Sequence, residues 1–178
     1  MAALYDEISD ELKAFIEKQK IFFVATADVD GRINLSPKGG DTLRVVSGNR
    51  LIWLNLTGSG NETASHMLSV NRITLMFCSF EKNPLILRIY GQGEIIHEGS
   101  EQWDVNISQF PEFTGARQIF DISIQLAQTS CGFQVPVYDY QGERDTLEIW
   151  AKKKGREGIR SYWQEKNKLS LDGKPTDF

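Results

Sequence analysis

Two periods of apolar and polar residues divide this chain. Near the start, Leu4, Ile8, Leu12, Phe15 and Ile16 recur at helical spacing among acids and lysines, which predicts an amphipathic helix over residues 3–19. From Ile21 onward the period shortens to that of strands. "IFFVATADVDGRINLSP" reads as two runs joined at Asp30-Gly31, a dipeptide that accepts the positive φ of a hairpin turn. Further strand-like runs follow at "TLRVVSG", "RLIWLNL", "RITLMFCSF" and "LILRIYGQGEIIH". Beyond them, "EQWDVNISQFPEF" predicts a short helix stopped by Pro111, and "RQIFDISIQLAQTS" predicts a long strand. The tail "REGIRSYWQEKN" sets Ile159, Tyr162 and Trp163 on one helical face. Five or six closely spaced strands with one brief helical interruption predict an antiparallel sheet or barrel. The economical organisation is one domain, with a core over about residues 20–130 and a C-terminal segment over 131–178.

The helical interruption is chemically the most interesting stretch. "TGSGNETASH" (57–66) follows an apolar strand and opens a helix of about two turns, Asn61 to Ser69. Gly58-x-Gly60 begins a dinucleotide fingerprint, but Thr63 stands where close helix packing wants Gly or Ala, and so short a helix leaves no room for a parallel crossover. Ser59 and Glu62 have the spacing of a capping box. The remaining free amides of that helix favour an anion, to which Asn61 and Thr63 add hydrogen-bonding groups. Two cations on strands are candidates for the same place. Lys38 follows Ser36-Pro37, and Arg88 interrupts the apolar run "LILRIYG", where a guanidinium is costly unless it is paired or faces a ligand.

Composition narrows the reading mainly by exclusion. The chain has 178 residues, 40% hydrophobic and 25% charged, which is ordinary for a globular protein. A formal net charge of −4 opposes a dedicated nucleic-acid binder, since "AKKKGR" is flanked by Glu148 and Glu157 and reads as a solvated helix face. No apolar stretch approaches membrane-spanning length, and no metal partner is expected. Cys78 and Cys131 are isolated thiols that fit a reducing compartment, so a cytoplasmic location is expected, with Cys131 read as a buried structural thiol. His66 and His97 are expected at partly buried or solvated positions, Trp53 and Trp150 in the core or an interface. No Ser-His-Asp set or paired carboxylates point to hydrolysis.

The ordered segments "FVATADVDGRINLSPKG", "LIWLNLTGSGNETASHML", "NRITLMF" and "LRIYGQGEII" together resemble the pyridoxamine 5'-phosphate oxidase-like family of FMN-binding split barrels. The later pieces "TSCGFQVPVYDY" and "KNKLSLDGKPTDF" resemble a less studied FMN-binding branch. The resemblance implies a mainly β fold with flanking helices, a six-stranded antiparallel split β-barrel. It implies a homodimer with FMN in two clefts at the subunit interface, and a flavin-dependent oxidoreductase acting on a small substrate. Alternatives within the resemblance are a non-catalytic flavin carrier or sensor, or a relative that holds a deazaflavin or haem.

Carried onto this chain, the flavin-wrapping strand end of the family implicates Asn34, Leu35, Ser36, Pro37 and Lys38. The family's phosphate-gripping Arg-Lys pair falls on Glu62 and Thr63, so both cations are missing, and the loop is about two residues longer. Asn61, Thr63 and a cation from elsewhere are expected to take over, with Arg88 the expected substitute because it shares strand parity with a flavin-contacting position of the family. The oxidase's substrate-binding Arg and His pattern is also absent from "SLDGKPTDF". The resemblance therefore extends to the scaffold and not to the namesake activity.

Overall fold

The computed structural model describes residues 2–178. β2 (Ile21–Thr26) and β3 (Asn34–Gly39) form the predicted hairpin, followed by β4 (Leu43–Ser47), β5 (Arg50–Leu56), helix α2 (Glu62–Ser69), β6 (Ile73–Cys78) and β7 (Ile86–His97). Helix α3 (Glu101–Ile107) leads into β8 (Ala116–Ser130), and α4 (Thr146–Lys166) completes the elements. All ladders are antiparallel, in the order β3-β2-β6-β7-β8-β5-β4, with β1 (Ala3–Tyr5) added on β8. The path does not close by hydrogen bonds: β3 and β4 are its two edges, as a split barrel requires.

Eight strands replace the six expected. The additional ones are short or peripheral, and β1 corrects the N-terminal expectation directly. Residues 3–5 pair with Thr129, Gln128 and Ala127, so the helix is confined to α1 (Asp10–Lys18). Ser9 explains the boundary, because its side chain caps the helix by accepting from the Leu12 amide at 3.3 Å. The Asp30-Gly31 hairpin also differs from a tight two-residue turn: seven residues, 27–33, separate the strands, with Gly31 at φ +93°. α4 changes direction at Gly155, whose φ of 67° ends the basic run "KKKG" in a kink.

Strand alternation builds the core. Phe22, Val24, Leu51, Trp53, Leu75, Phe77, Leu87, Ile89, Phe120 and Ile122 turn into the barrel, where Trp53 stacks on Phe120 with ring centroids 4.8 Å apart. The opposite sheet face carries Ile52, Leu54, Ile96 and Ile119, covered by Trp103 of α3 and by Phe110. Trp53 is thus in the core as expected, while Cys131 is exposed and the buried thiol is Cys78, because β8 ends one residue before Cys131. Among the described residues, no helix is long and apolar enough to cross a membrane.

Phe120 is fully buried at the centre of this packing. Phe120→Ala should cost about 3–5 kcal/mol, read as a lower midpoint in urea unfolding with little change in slope. A cost below about 1 kcal/mol would contradict the packing described.

Candidate functional site

A cavity of about 550 Å³ opens where the edge strand β3, the 58–63 loop and the start of β8 meet. β3 alternates half-buried and exposed residues, so Asn34, Ser36 and Lys38 face the cavity while Leu35 and Pro37 point away. Pro37 is tolerated because β3 is an edge strand and needs no donor on its free side. Asn61, Glu62 and Thr63 complete the side formed by the loop and α2. Six of the residues expected from sequence therefore gather around one space, Pro37 borders a neighbouring cleft, and Leu35 is exposed on the outer face of the same strand.

Arg88 is not among the cavity's walls. Its guanidinium donates to Ser130 Oγ at 3.2 Å, and its register partner on β8 is Gln128. That level of the sheet lies eleven residues along β8 from Arg117, roughly 35 Å of strand at about 3.3 Å per residue. Strand parity alone therefore points to a position at a different height of the sheet from this cavity. The second cation is Arg117, at the beginning of β8 and only 3% exposed. Its Nη1 donates to Asn167 Oδ1 at 2.7 Å and to the Gly60 carbonyl at 3.1 Å, while its Nε has no partner among the described residues. Asn61 Nδ2 is a second buried donor in the same condition.

The capping box is also corrected. Asn61, rather than Ser59, is the N-cap of α2, and it makes no side-chain capping bond; Glu62 therefore occupies the first helical position instead of the third. Both carboxylate oxygens of Glu62 accept instead from the Leu171 amide, at 3.0 and 3.1 Å. His66 is more buried than expected, with Nδ1 3.0 Å from Thr26 Oγ1. The Asn34 side-chain Nδ2 donates to Thr63 Oγ1 at 3.2 Å, which ties β3 to α2 beside the cavity.

The electrostatics are lopsided. Among the described residues, neither Lys38 nor Arg117 has an acidic partner within ion-pair distance. Burial, reinforced by repulsion from Arg117, lowers the Lys38 ammonium to a pKa of about 8, and burial lowers Arg117 to about 10. Lys38 Nζ sits 5.1 Å from the Trp53 ring centroid, a contact that eases its desolvation. Lys38 also borders a second cleft, of about 660 Å³, with Ile21, Leu56, Phe113 and Leu147 on its walls. The two spaces together offer a polar, positively charged end and a largely apolar neighbour.

Sequence reading missed Arg117 and the part played by the C-terminal segment. Arg117 carried the same signal as Arg88, a guanidinium entering an apolar strand, but only the ladder shows which of the two stands beside the loop. The segment after α4 supplies Leu169, Ser170 and Leu171 to the cavity wall, and Asn167, fully buried, also donates to the Gly58 carbonyl at 3.2 Å.

Comparison with known proteins places this geometry. The Aspergillus flavus protein ustO, named a pyridoxamine 5'-phosphate oxidase family protein, is 35% identical over 153 residues, 83% of this chain; the chain spans 61% of that protein's length. Among solved structures, HupZ of Group A Streptococcus superposes with a TM-score of 0.52 at 23% identity, covering 67% of this chain and 91% of that one. A Lactobacillus delbrueckii protein named for pyridoxamine 5'-phosphate oxidase superposes with a TM-score of 0.56 at 18% identity, covering 69% and 94%. The characteristic pattern of pyridoxamine 5'-phosphate oxidase matches residues 8–131, from the end of β1 through the whole barrel, and the chain belongs to that family.

Proposed function

We propose that this protein binds FMN, with the phosphate in the cavity between Lys38 and Arg117, and acts as a flavin-dependent oxidoreductase on a small substrate. One observation carries the reading. Buried Arg117 and half-buried Lys38 line one cavity without an ion-pair partner among the described residues, the Glu62 carboxylate in the wall being bound to the Leu171 amide instead, and two buried donors, Arg117 Nε and Asn61 Nδ2, lack partners there. Buried charge and orphaned donors are each costly, and a bound phosphate removes both costs at once. Its oxygens have further hydrogen-bonding groups in Asn34, Ser36 and Thr63.

The cleft on the other side of Lys38 supports a ligand with a planar apolar body as well as an anionic end. Bound FMN would supply a two-electron acceptor, while the chain supplies position and field. Lys38 would hold positive charge at the junction of the two spaces, and the β3 backbone would orient the flavin. Family membership supports a flavin as the cofactor, and a homodimer with the flavin at its interface is part of the same reading. Leu35 on the outer face of β3 then becomes a candidate for a subunit contact, while Arg88, at the far end of β7, takes no part in holding the phosphate. Turnover separates an enzyme from a carrier or sensor: reduction by NADH or NADPH followed by reoxidation by a small acceptor is the enzyme's signature.

FMN titrations followed by flavin fluorescence should show saturable one-to-one binding per chain, and no binding up to millimolar FMN would remove the proposal. Arg117→Gln should weaken the affinity by about ten- to a hundredfold, the loss expected for one charge-assisted contact of roughly 1.5–3 kcal/mol. Arg88→Gln serves as the comparison, and an equal loss there would count against the cavity as the phosphate site.

The pH dependence follows from Lys38. Ionised Lys38 attracts the phosphate, so affinity should fall as pH rises through about 8, and binding just above that pH should take up a proton. Stability of the ligand-free protein runs the other way. Between pH 8 and 10.5 the unfolded chain holds more protons than the folded one, so the penalty on buried charged lysine is full below about 8 and fades towards 10.5. Lys38→Met should accordingly raise the neutral-pH melting temperature by a few degrees, on the order of 1–2 kcal/mol after solvent screening, while weakening FMN. A destabilised variant with unchanged FMN affinity would refute this assignment of Lys38.

A further inference from the structure

After α4, the chain folds into a hook that the barrel match does not include. The Ser170 amide donates to the Lys174 carbonyl at 2.8 Å, the Gly173 amide to the Ser170 carbonyl at 3.0 Å, and the Thr176 amide to the Lys168 carbonyl at 3.1 Å, with Leu169 bridged to Pro175. Asn167 and Thr176 are fully buried and Ser170 is 8% exposed, so the hook is a packed element rather than a trailing end. Its tip is fastened to the β2–β3 hairpin: Asp172 pairs with Arg32, and Lys174 with Asp28 at 2.7 Å and with Asp30. Gly31, at φ +93°, lies against the Asp172 carboxylate, which a Cβ there would crowd.

We propose that this hook is a specificity element: it closes the cavity around a terminal monophosphate and shuts out ligands whose phosphate continues into a second phosphate. The proposal rests on the reading of the cavity as a phosphate site. If the apolar cleft beyond Lys38 takes the body of the ligand, the phosphate lies towards α2 and the hook, and any extension beyond it meets Leu169, Ser170 and Leu171. Charge on that side is mixed: Glu62 shares the wall with the hook and holds it through the Leu171 amide, Lys166 lines the same cavity, and Asp172 beyond is paired with Arg32. A single phosphate can be surrounded by Lys38, Arg117 and Asn61, whereas a diphosphate must displace the hook and pass the Glu62 carboxylate.

The test compares FMN with FAD, and phosphate with pyrophosphate, on the full chain. Fluorescence titration should give wild-type protein at least about a tenfold preference for FMN over FAD. The Asp172→Asn/Lys174→Met double variant, which unfastens the tip without shortening the chain, should bring that ratio towards one, mainly by tighter FAD binding; Gly31→Ala should act in the same direction. Equal affinity for the two flavins in wild type, or an unchanged ratio in the variants, overturns the proposal.

Limited proteolysis gives a readout independent of flavin. Inorganic phosphate should protect residues 168–178 in wild type, and pyrophosphate at the same concentration should not. That pattern would uphold the hook even where no flavin binds, which separates its fate from that of the flavin assignment. Equal protection by both anions, or by neither, overturns it.

Discussion

Arg117, the second residue of β8, has nearly all its surface covered and no acid within ion-pair distance among the described residues. A guanidinium in that position is tolerated because its hydrogen bonds are arranged before any anion arrives. Asn167 and the Gly60 carbonyl accept from Nη1, which fixes the plane of the group and leaves Nε unused. Hydrogen bonds to neutral acceptors stabilise the charge without cancelling it. A carboxylate in place of Asn167 would make a more comfortable core and extinguish the field in the cavity.

Much of the surrounding structure follows from the need to hold those two acceptors. Gly60 belongs to the loop after β5, and Asn167 is the residue that ends α4, so the strand, the loop and the C-terminal helix meet on one side chain. Trp163 reinforces the junction by donating from Nε1 to Thr57 Oγ1 at 2.9 Å and by stacking on Phe178. The C-terminal segment is therefore a structural component of the cavity as well as its cover. Lys38 arrives independently from the opposite wall, placed by the alternation of an edge strand and accommodated against Trp53.

The β-rich organisation was legible because amphipathic strands advertise themselves in period two, and so was the β3 contribution, since Asn34, Ser36 and Lys38 share one face by parity alone. The loop residues Asn61 and Thr63 were legible as polar groups at a helix start. What could not be read was height along the sheet. Arg88 and Arg117 are both guanidinium groups in apolar strands, and the choice between them depends on ladders between β7 and β8 that pair residues more than twenty positions apart. Local pattern misled at two places for a related reason. The N-terminal residues have helical spacing, yet an available edge of β8 captured Ala3–Tyr5, and Ser59 has capping spacing, yet Glu62 is drawn to an amide 109 residues away. In each case a tertiary partner outweighed a preference worth about 1 kcal/mol or less.

The loss of the phosphate-gripping cations expected at positions 62 and 63 can then be understood together with the hook. With Glu62 at the first position of α2, the helix start carries a negative charge, and by itself this would oppose an anion. The hook holds that carboxylate without cancelling its charge: the Leu171 amide donates to both Glu62 oxygens and ties them to the hook's side of the wall. Positive charge is concentrated instead on Lys38 and Arg117, from the two sheet walls, and the helix contributes polar contacts through Asn61 and Thr63. An acid at the helix start and a hook that needs an acceptor are thus two halves of one arrangement. Removing either leaves the other exposed as a cost, so substitution of Glu62 by a cation would gain an attraction for phosphate only by releasing the segment that closes over it.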